Sequence, residues 1–534
     1  MTRSLLVSAA AVGIGGLIWW GADSSPRAGG EGAHAATAGA GLAEAGEEVA
    51  RRRCVTCHLF PEPGELDKRT WTKSTLASMG NYFGIYSHSG MHGAYRITRE
   101  SELDANPATR RRILMADSAS ISPEEWEKIF CYYGSVAPDD VMAGVEMPRV
   151  SGELAYFRAR GTKHPALAGK RPLTSCVAIL PERGEIAFAS VDSPDLRFAD
   201  QGLQLEAARD VKGIAVDLQA VADGSLIITV IGTLKPTERH DGSLMRLAPG
   251  AEQPLVLADA LHRPVAASPF DANGDQLIDF LICEYGHHTG ELSWLETRAD
   301  GTHQKHTILD KPNAIAAIPH DADADGDTDI YALFAGGREG IWLFTNDGGG
   351  GFAGKELITF PAATGSVSLR LVDIDGDGDQ DLLHVAGDND DSSPILKPYH
   401  GLRLFLNDGA GTFSLAQFYR MHGAYQVEAA DFDLDGDLDI ALCSQFGDAT
   451  NFADQAFVLL ENGGDLGFAP RSHPATYGIR WMRMDAEDFD GDGDVDIVLG
   501  AMIPRHKDWL QPTGEILKRW QDAPEVLLLE NRSK

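Results

Sequence analysis

From Cys176 to the end of the chain, apolar residues come in short runs broken by clusters of Gly, Asp and Asn. Runs such as Glu185-Ile186-Ala187-Phe188-Ala189, Leu226-Ile227-Ile228-Thr229-Val230 and Ile497-Val498-Leu499 are too short for helices and rich in β-branched residues. They predict buried strands. Five Asp-rich segments punctuate them: Asp271-Ala272-Asn273-Gly274-Asp275-Gln276-Leu277-Ile278-Asp279, then 321–329, 373–381, 431–439 and 488–496. The last four share D-x-D-x-D-G-D-x-D, and successive starts lie 50, 52, 58 and 57 residues apart. A strand leads into each segment and an apolar strand leaves it. A third strand ends in Asn, as at Leu343 to Asn346, Leu404 to Asn407, Leu459 to Asn462 and Leu528 to Asn531. A weaker fourth follows turns such as Gly411-Thr412-Phe413. Four short strands per repeat describe a propeller blade.

Two further blades keep the strand rhythm without the Asp segment, turning instead at Arg183-Gly184 and Asp223-Gly224. The expectation for 141–534 is therefore an all-β seven-bladed β-propeller. The chain ends on a third strand, so a stretch between Leu154 and Thr174 must supply the outer strand of the last blade. An open ring would leave two raw sheet edges.

Helical periodicity replaces this pattern in 43–140, which predicts a small all-α domain. One helix precedes Cys54, and a second runs from Leu66 to Met79 with Gly80 as its cap. The last begins at Ser122-Pro123-Glu124-Glu125, a capping box with proline in the first turn. Trp126, Ile129, Phe130 and Tyr133 form its apolar face, and Gly134 and Pro138 end it. Ahead of this domain, residues 1–22 read as a signal peptide or membrane anchor: Arg3 is followed by an apolar run from Leu5 to Trp20. Residues 23–42, mostly Ala and Gly, read as a flexible linker.

Charge and cysteines sharpen the picture. A net charge of −33 argues against nucleic acid as a partner. Four cysteines, Cys131, Cys176, Cys283 and Cys443, are scattered and form no disulfide framework. The other two stand in Cys54-Val55-Thr56-Cys57-His58, the attachment signature of a c-type haem. Two thiols on one helical turn reach two porphyrin vinyl groups, and the next imidazole becomes the proximal iron ligand. Half of a zinc site or a redox dithiol would share the cysteine spacing. A zinc site needs a second ligand pair, and no second CxxC is present. In the Asp segments, oxygen-only ligands at alternate positions specify a hard cation. The candidate ligands of up to five Ca2+ are Asp271, Asn273, Asp275 and Asp279; Asp321, Asp323, Asp325, Asp327 and Asp329; Asp373, Asp375, Asp377, Asp379 and Asp381; Asp431, Asp433, Asp435, Asp437 and Asp439; and Asp488, Asp490, Asp492, Asp494 and Asp496.

A helix before CxxCH and an aromatic helix at the end resemble the class I cytochrome c fold. The Asp segments resemble the calcium loops of FG-GAP repeats. Together with Leu59-Phe60-Pro61-Glu62-Pro63 after the CxxCH and Leu76-Ala77-Ser78-Met79-Gly80, the chain resembles bacterial exported proteins that join a c-type cytochrome domain to FG-GAP/VCBS-like repeats. The resemblance implies one covalent haem c, with His58 and Met79 as axial ligands. Met115, Met91, or His88 and His92 are rivals for the second position. It also implies a periplasmic or cell-envelope location and a redox partner protein. The implied function is electron transfer beside a calcium-stabilised propeller that binds a partner or ligand. Two alternatives stand: an oxidoreductase acting on a sugar or alcohol held by the propeller, and a surface binding module with a non-catalytic haem. No nucleophile elbow, phosphate loop or dinucleotide fingerprint is present. Met421-His422-Gly423-Ala424-Tyr425 repeats Met91 to Tyr95 letter for letter. Its position at the start of an inner strand makes His422, with Arg480 and Trp481 one blade on, ligand candidates at the channel mouth.

Overall fold

The computed structural model describes residues 35–85, 120–389, 395–504 and 512–534. Seven sheets, each with four consecutive antiparallel strands or their equivalent, form the β-propeller. Their innermost strands are Thr174–Leu180, Ala215–Ala220, Pro264–Phe270, Ala314–His320, Ser366–Val372, Ala424–Ala430 and Trp481–Glu487, which we number as blades 1 to 7. Second strands such as Asp279–Glu284, Asp329–Phe334 and Asp439–Ser444 are buried at every position. They pack between neighbouring blades on both faces, which is why they read as continuous apolar runs rather than alternating ones.

Closure comes from the N-terminal side. Arg158–Thr162 pairs antiparallel with Val526–Glu530 and becomes the outer strand of blade 7. Glu525 fastens this seam from a fully buried position. It accepts the His164 N–H at 2.7 Å and pairs with Arg197 at 2.6 Å. Gly152–Glu153 adds a short parallel strand to the edge of blade 6.

The central channel is bridged by polar side chains of the inner strands. Arg370 pairs with Glu428, Asp485 accepts the Ile179 N–H at 2.7 Å, and Asp217 accepts the Ala267 N–H at 3.1 Å. Desolvation here, with Glu428 nearby, pushes Asp485 up to about 7. Glu339 is buried where blade 4 meets blade 5 and is likewise pushed up to about 7, chiefly by desolvation. Unfolded carboxyl groups titrate near pH 4, so between about 4 and 7 the folded chain holds protons that the unfolded chain has lost. Stability from these two groups is complete below that window and is lost as pH rises through it. At fixed saturating calcium, the melting temperature should fall between pH 5 and 7.5, and Asp485→Asn should flatten the slope. An unchanged slope in Asp485→Asn would remove that residue from the account.

The helical domain rests on a crossed pair, Ala35–Arg53 against Pro123–Val136. At the crossing, a Cβ on Gly46 would lie 2.1 Å from the Lys128 carbonyl oxygen, so only glycine permits the contact. The expected capping box is present, with Ser122 accepting the Glu125 N–H at 3.1 Å. Its buried face is Trp126, Ile129, Tyr132 and Tyr133; Phe130 is only half-buried. Two expectations are corrected. Residues 35–42 are helical rather than tether, because their Ala-rich sequence suits a helix once the rest of that helix packs. Gly80 is not a cap: the helix continues to Tyr82, and Gly80 is the packing position against Trp126, where a Cβ would meet the ring at 3.2 Å. The segment 1–22, like Met91, Met115, His88 and His92, lies outside the described residues. Among the described residues no helix is long and apolar enough to cross a membrane.

The two parts touch through one face of the propeller. Tyr399, between the second and third strands of blade 5, donates its hydroxyl to the Glu65 carbonyl at 2.8 Å. Ala363 and Ile395 pack against the core of the helical domain. The Asp segments join first to second strands and therefore lie at the opposite end of the blades.

Candidate functional site

Each Asp segment closes the hairpin between the first two strands of blades 3 to 7. The first Asp accepts the N–H of the sixth residue at 2.8–3.1 Å in all five, which curls the loop round its carboxylates. That sixth residue needs positive φ. Four loops use glycine there, and the first uses Gln276 at φ 68°. Carboxylate oxygens of Asp321, Asp323 and Asp325 lie within 4.8 Å of one another, as do those of Asp373, Asp375 and Asp381. The same holds for Asp431, Asp433 and Asp439, and for Asp488, Asp490 and Asp492. The acids of the first loop, Asp271, Asp275 and Asp279, form no such group. Asp327, Asp379, Asp437 and Asp494 also stand outside, as do Asp329, Asp377, Asp435 and Asp496.

The ninth Asp has a second task. Asp279, Asp329, Asp381, Asp439 and Asp496 are fully buried. One oxygen of each accepts the N–H of the second loop residue at 2.9–3.1 Å. The other accepts an N–H from the third strand at 2.7–2.9 Å, given by Thr297, Asn346, Asn407, Asn462 or Asn531. The asparagine side chain then returns to the loop: Asn346 Nδ2 donates to the Thr328 carbonyl at 3.0 Å and to the Ala272 carbonyl of the preceding blade at 2.9 Å. Sequence reading treats these asparagines only as strand ends. Their recurrence after four of the five ninth Asp residues is the signal that could have shown the clamp.

In the helical domain, Cys54 is buried and Cys57 exposed, one turn apart at the end of the first helix. Burial pushes the Cys54 thiol up to about 11. His58 Nδ1 donates to the Leu59 carbonyl at 2.6 Å, which leaves Nε2 as the nitrogen with a lone pair. The loop that follows is pinned from beneath. Tyr133 donates to the Pro61 carbonyl at 2.6 Å and Trp71 Nε1 to the Pro63 carbonyl at 2.9 Å. Met79 is half-buried against the same core. Val55, Leu59 and Tyr82 stand exposed beside the cysteines, at 49 %, 44 % and 39 %. This rim fits an apolar group attached at Cys54 and Cys57, because each of these side chains would lose water contact under it.

The family described as FG-GAP-like repeat matches residues 321–384 and 387–442. The chain carries FG-GAP-like repeats. A comparison with curated proteins finds no match. Among solved structures, a streptogramin B lyase is similar over 70% of this chain and 98% of its own, at 13% identity and a TM-score of 0.42. A gluconolactonase from Xanthomonas campestris covers 56% and 93% at 14% identity and 0.36. A chain of a nidogen/laminin complex covers 52% and 89% at 11% and 0.33. The blade count rests on this chain's own strand order.

A propeller of FG-GAP-like repeats is a scaffold for binding a ligand or partner. The three candidates at its channel mouth are set deep in the walls. Trp481 is fully buried with Nε1 donated to the Thr476 carbonyl at 3.0 Å, and Arg480 stacks its guanidinium 4.6 Å from the Trp520 ring. His422 is 3 % exposed, edge-on to Phe452, and burial brings it down to about 4. All three are packed against the protein's own side chains and backbone.

Proposed function

We propose that this is an exported electron-transfer protein, in which the helical domain carries one covalent haem c and the FG-GAP-like propeller binds a partner. Cys54 and Cys57 would hold the haem by thioether bonds, with His58 Nε2 and Met79 sulfur as axial ligands. When bound, it supplies a one-electron couple. The observation that carries the reading is the CxxCH turn with His58 Nε2 available and an exposed apolar rim beside it. The remaining residues position it: Tyr133 and Trp71 hold the Pro61–Pro63 loop, and Gly46 lets the two outer helices close behind it. Residues 1–22 would direct export to the periplasm or cell envelope.

Cavity size favours a partner over a sugar or alcohol oxidised at the haem. The cavity facing the helical domain, between Tyr285, Glu339, Asp388 and Lys397, holds about 80 Å³. Small-molecule sites usually offer roughly 300 Å³ or more. The larger groove, about 670 Å³, lies on blade 1 beside His164 and Arg197, away from the blades that touch the helical domain. Stopped-flow mixing of oxidised protein with reduced small carrier proteins should give rapid haem reduction, while sugars and alcohols leave it oxidised. Met79→Ala should remove the Met–Fe(III) charge-transfer band and lower the potential. Reduction by a sugar alone, or a band that survives in Met79→Ala, would count against these two assignments respectively.

Calcium in the Asp loops would act structurally. Four of the loops gather carboxylates whose repulsion a divalent cation offsets. A ligand that binds only the folded state adds about 2.7 kcal/mol at a hundredfold excess over its Kd. Chelation should lower the propeller's melting temperature, read from its β-sheet circular dichroism, and calcium should restore it. Equal melting in metal-free and calcium-loaded protein would rule this out.

A further inference from the structure

Among the described residues, four of the Asp loops hold acidic groups, and one further group of metal-ligating side chains lies at the opposite end of the propeller. Glu238, from the loop between the second and third strands of blade 2, meets His287 and His288 of the equivalent loop in blade 3. One ligand atom from each lies within 4.8 Å of the others. Adjacent residues in a strand point to opposite sides, so two neighbouring imidazoles converge only in a tight turn. Gly286 makes that turn at φ 61°, where a Cβ would collide with the Thr289 carbonyl oxygen at 1.5 Å. The His287 N–H closes it on that same carbonyl at 3.0 Å. The two rings consequently sit 4.0 Å apart.

The carboxylate is held just as firmly. Glu238 accepts the His288 N–H at 2.9 Å, the Thr289 N–H at 3.1 Å and the Thr289 hydroxyl at 2.5 Å. Such outer contacts orient a ligand and reduce the ordering that binding would otherwise require. Beneath it, the buried Arg263 guanidinium donates to Leu234 at 3.0 Å and to Gly286, joining the two loops. Two more imidazoles stack next to the turn: His240 and His262 have ring centroids 3.6 Å apart, and the Gly286 N–H donates to the His262 carbonyl at 2.9 Å. His240 Nε2 is buried with no hydrogen-bond partner among the described residues.

We propose that Glu238, His287 and His288 form a site for one divalent first-row transition ion of the zinc or copper class. Imidazole nitrogen with carboxylate oxygen suits such ions and disfavours the calcium that all-oxygen loops prefer. The Tyr82 ring of the helical domain lies edge-on to His288 at 6.3 Å, so the ion would sit at the junction of the two parts.

The test uses full-length, tag-free protein, stripped with chelator and returned to excess calcium so that the Asp loops are occupied. Zn2+ titrated by calorimetry should bind at one equivalent per chain. His287→Ala and His288→Ala should each weaken that binding by about tenfold to a hundredfold. Glu238→Gln retains an acceptor for the turn's N–H groups and should weaken binding while leaving the circular dichroism unchanged. Absence of a Zn2+ equivalent above the calcium background, or unchanged binding in a folded His287→Ala/His288→Ala variant, overturns the proposal. Should the histidine variants fail to fold, Cu2+ added to the wild type decides. Paramagnetic resonance should then show hyperfine splitting from two nitrogens, and an oxygen-only spectrum overturns the site.

Discussion

Acid-acetone extraction should leave the wild-type protein coloured and strip the colour from Cys57→Ser. Two cysteines make the proposed thioether bonds, and loss of either weakens or abolishes covalent retention. The two positions are not equivalent controls. Cys57 is exposed, so serine there removes no packing of the polypeptide's own core. Any loss of colour in Cys57→Ser is therefore loss of attachment. Cys54 is 7 % exposed and packs in the helical core, so Cys54→Ser places a hydroxyl there and should also lower the domain's melting temperature. The expected pattern is loss of colour in both variants, with the lower melting temperature in Cys54→Ser, which also loses core packing. Haem freely extracted from the wild type would dismiss the c-type assignment.

The second large effect belongs to the propeller. Asp439→Ala should destabilise it by about 2–6 kcal/mol even in chelator, because two buried N–H donors lose their acceptor at about 1–3 kcal/mol each. Those donors are Phe432 and Asn462, at 3.0 and 2.8 Å. Asp437→Ala is the matched comparison. It lies two residues away in the same loop, outside the acidic groups, and should cost little under the same conditions. Urea titration of both variants without calcium separates a clamp from a calcium ligand. Equal losses in the two variants would mean that the loop's charge matters and the clamp does not.

The contrast shows what the sequence could reveal. Blades were legible because the Asp segments recur at nearly constant spacing and the flanking strands are short and apolar. Even the two blades lacking Asp segments could be placed, since their strands keep the same rhythm. Ring closure was legible from the missing fourth strand after Asn531. Gly80 was misread because a glycine after a helical run signals a cap equally well as a close approach, and only Trp126 decides between them. The same ambiguity hid Gly46. Trp481 and His422 looked like channel residues because strand position alone does not tell which face of an inner strand points inward. The Glu238–His287–His288 group was invisible because its members come from two different blades. Only the propeller's curvature places two such loops side by side.

Blade 7 also gives the chain a timing problem during its synthesis. Arg160 and Glu530, ion-paired across the seam, are 370 residues apart in sequence. A ribosome adding about 5–20 residues per second delivers the second partner roughly 20–70 seconds after the first. Throughout that interval Arg158–Thr162 is an unmated strand, and Trp481–Glu487, made late in it, has no finished sheet around it. The last ring segment therefore assembles only after Val526–Glu530 has left the ribosome. Loss of even the final ten residues should leave a propeller with two reactive edges rather than one with a shortened tail.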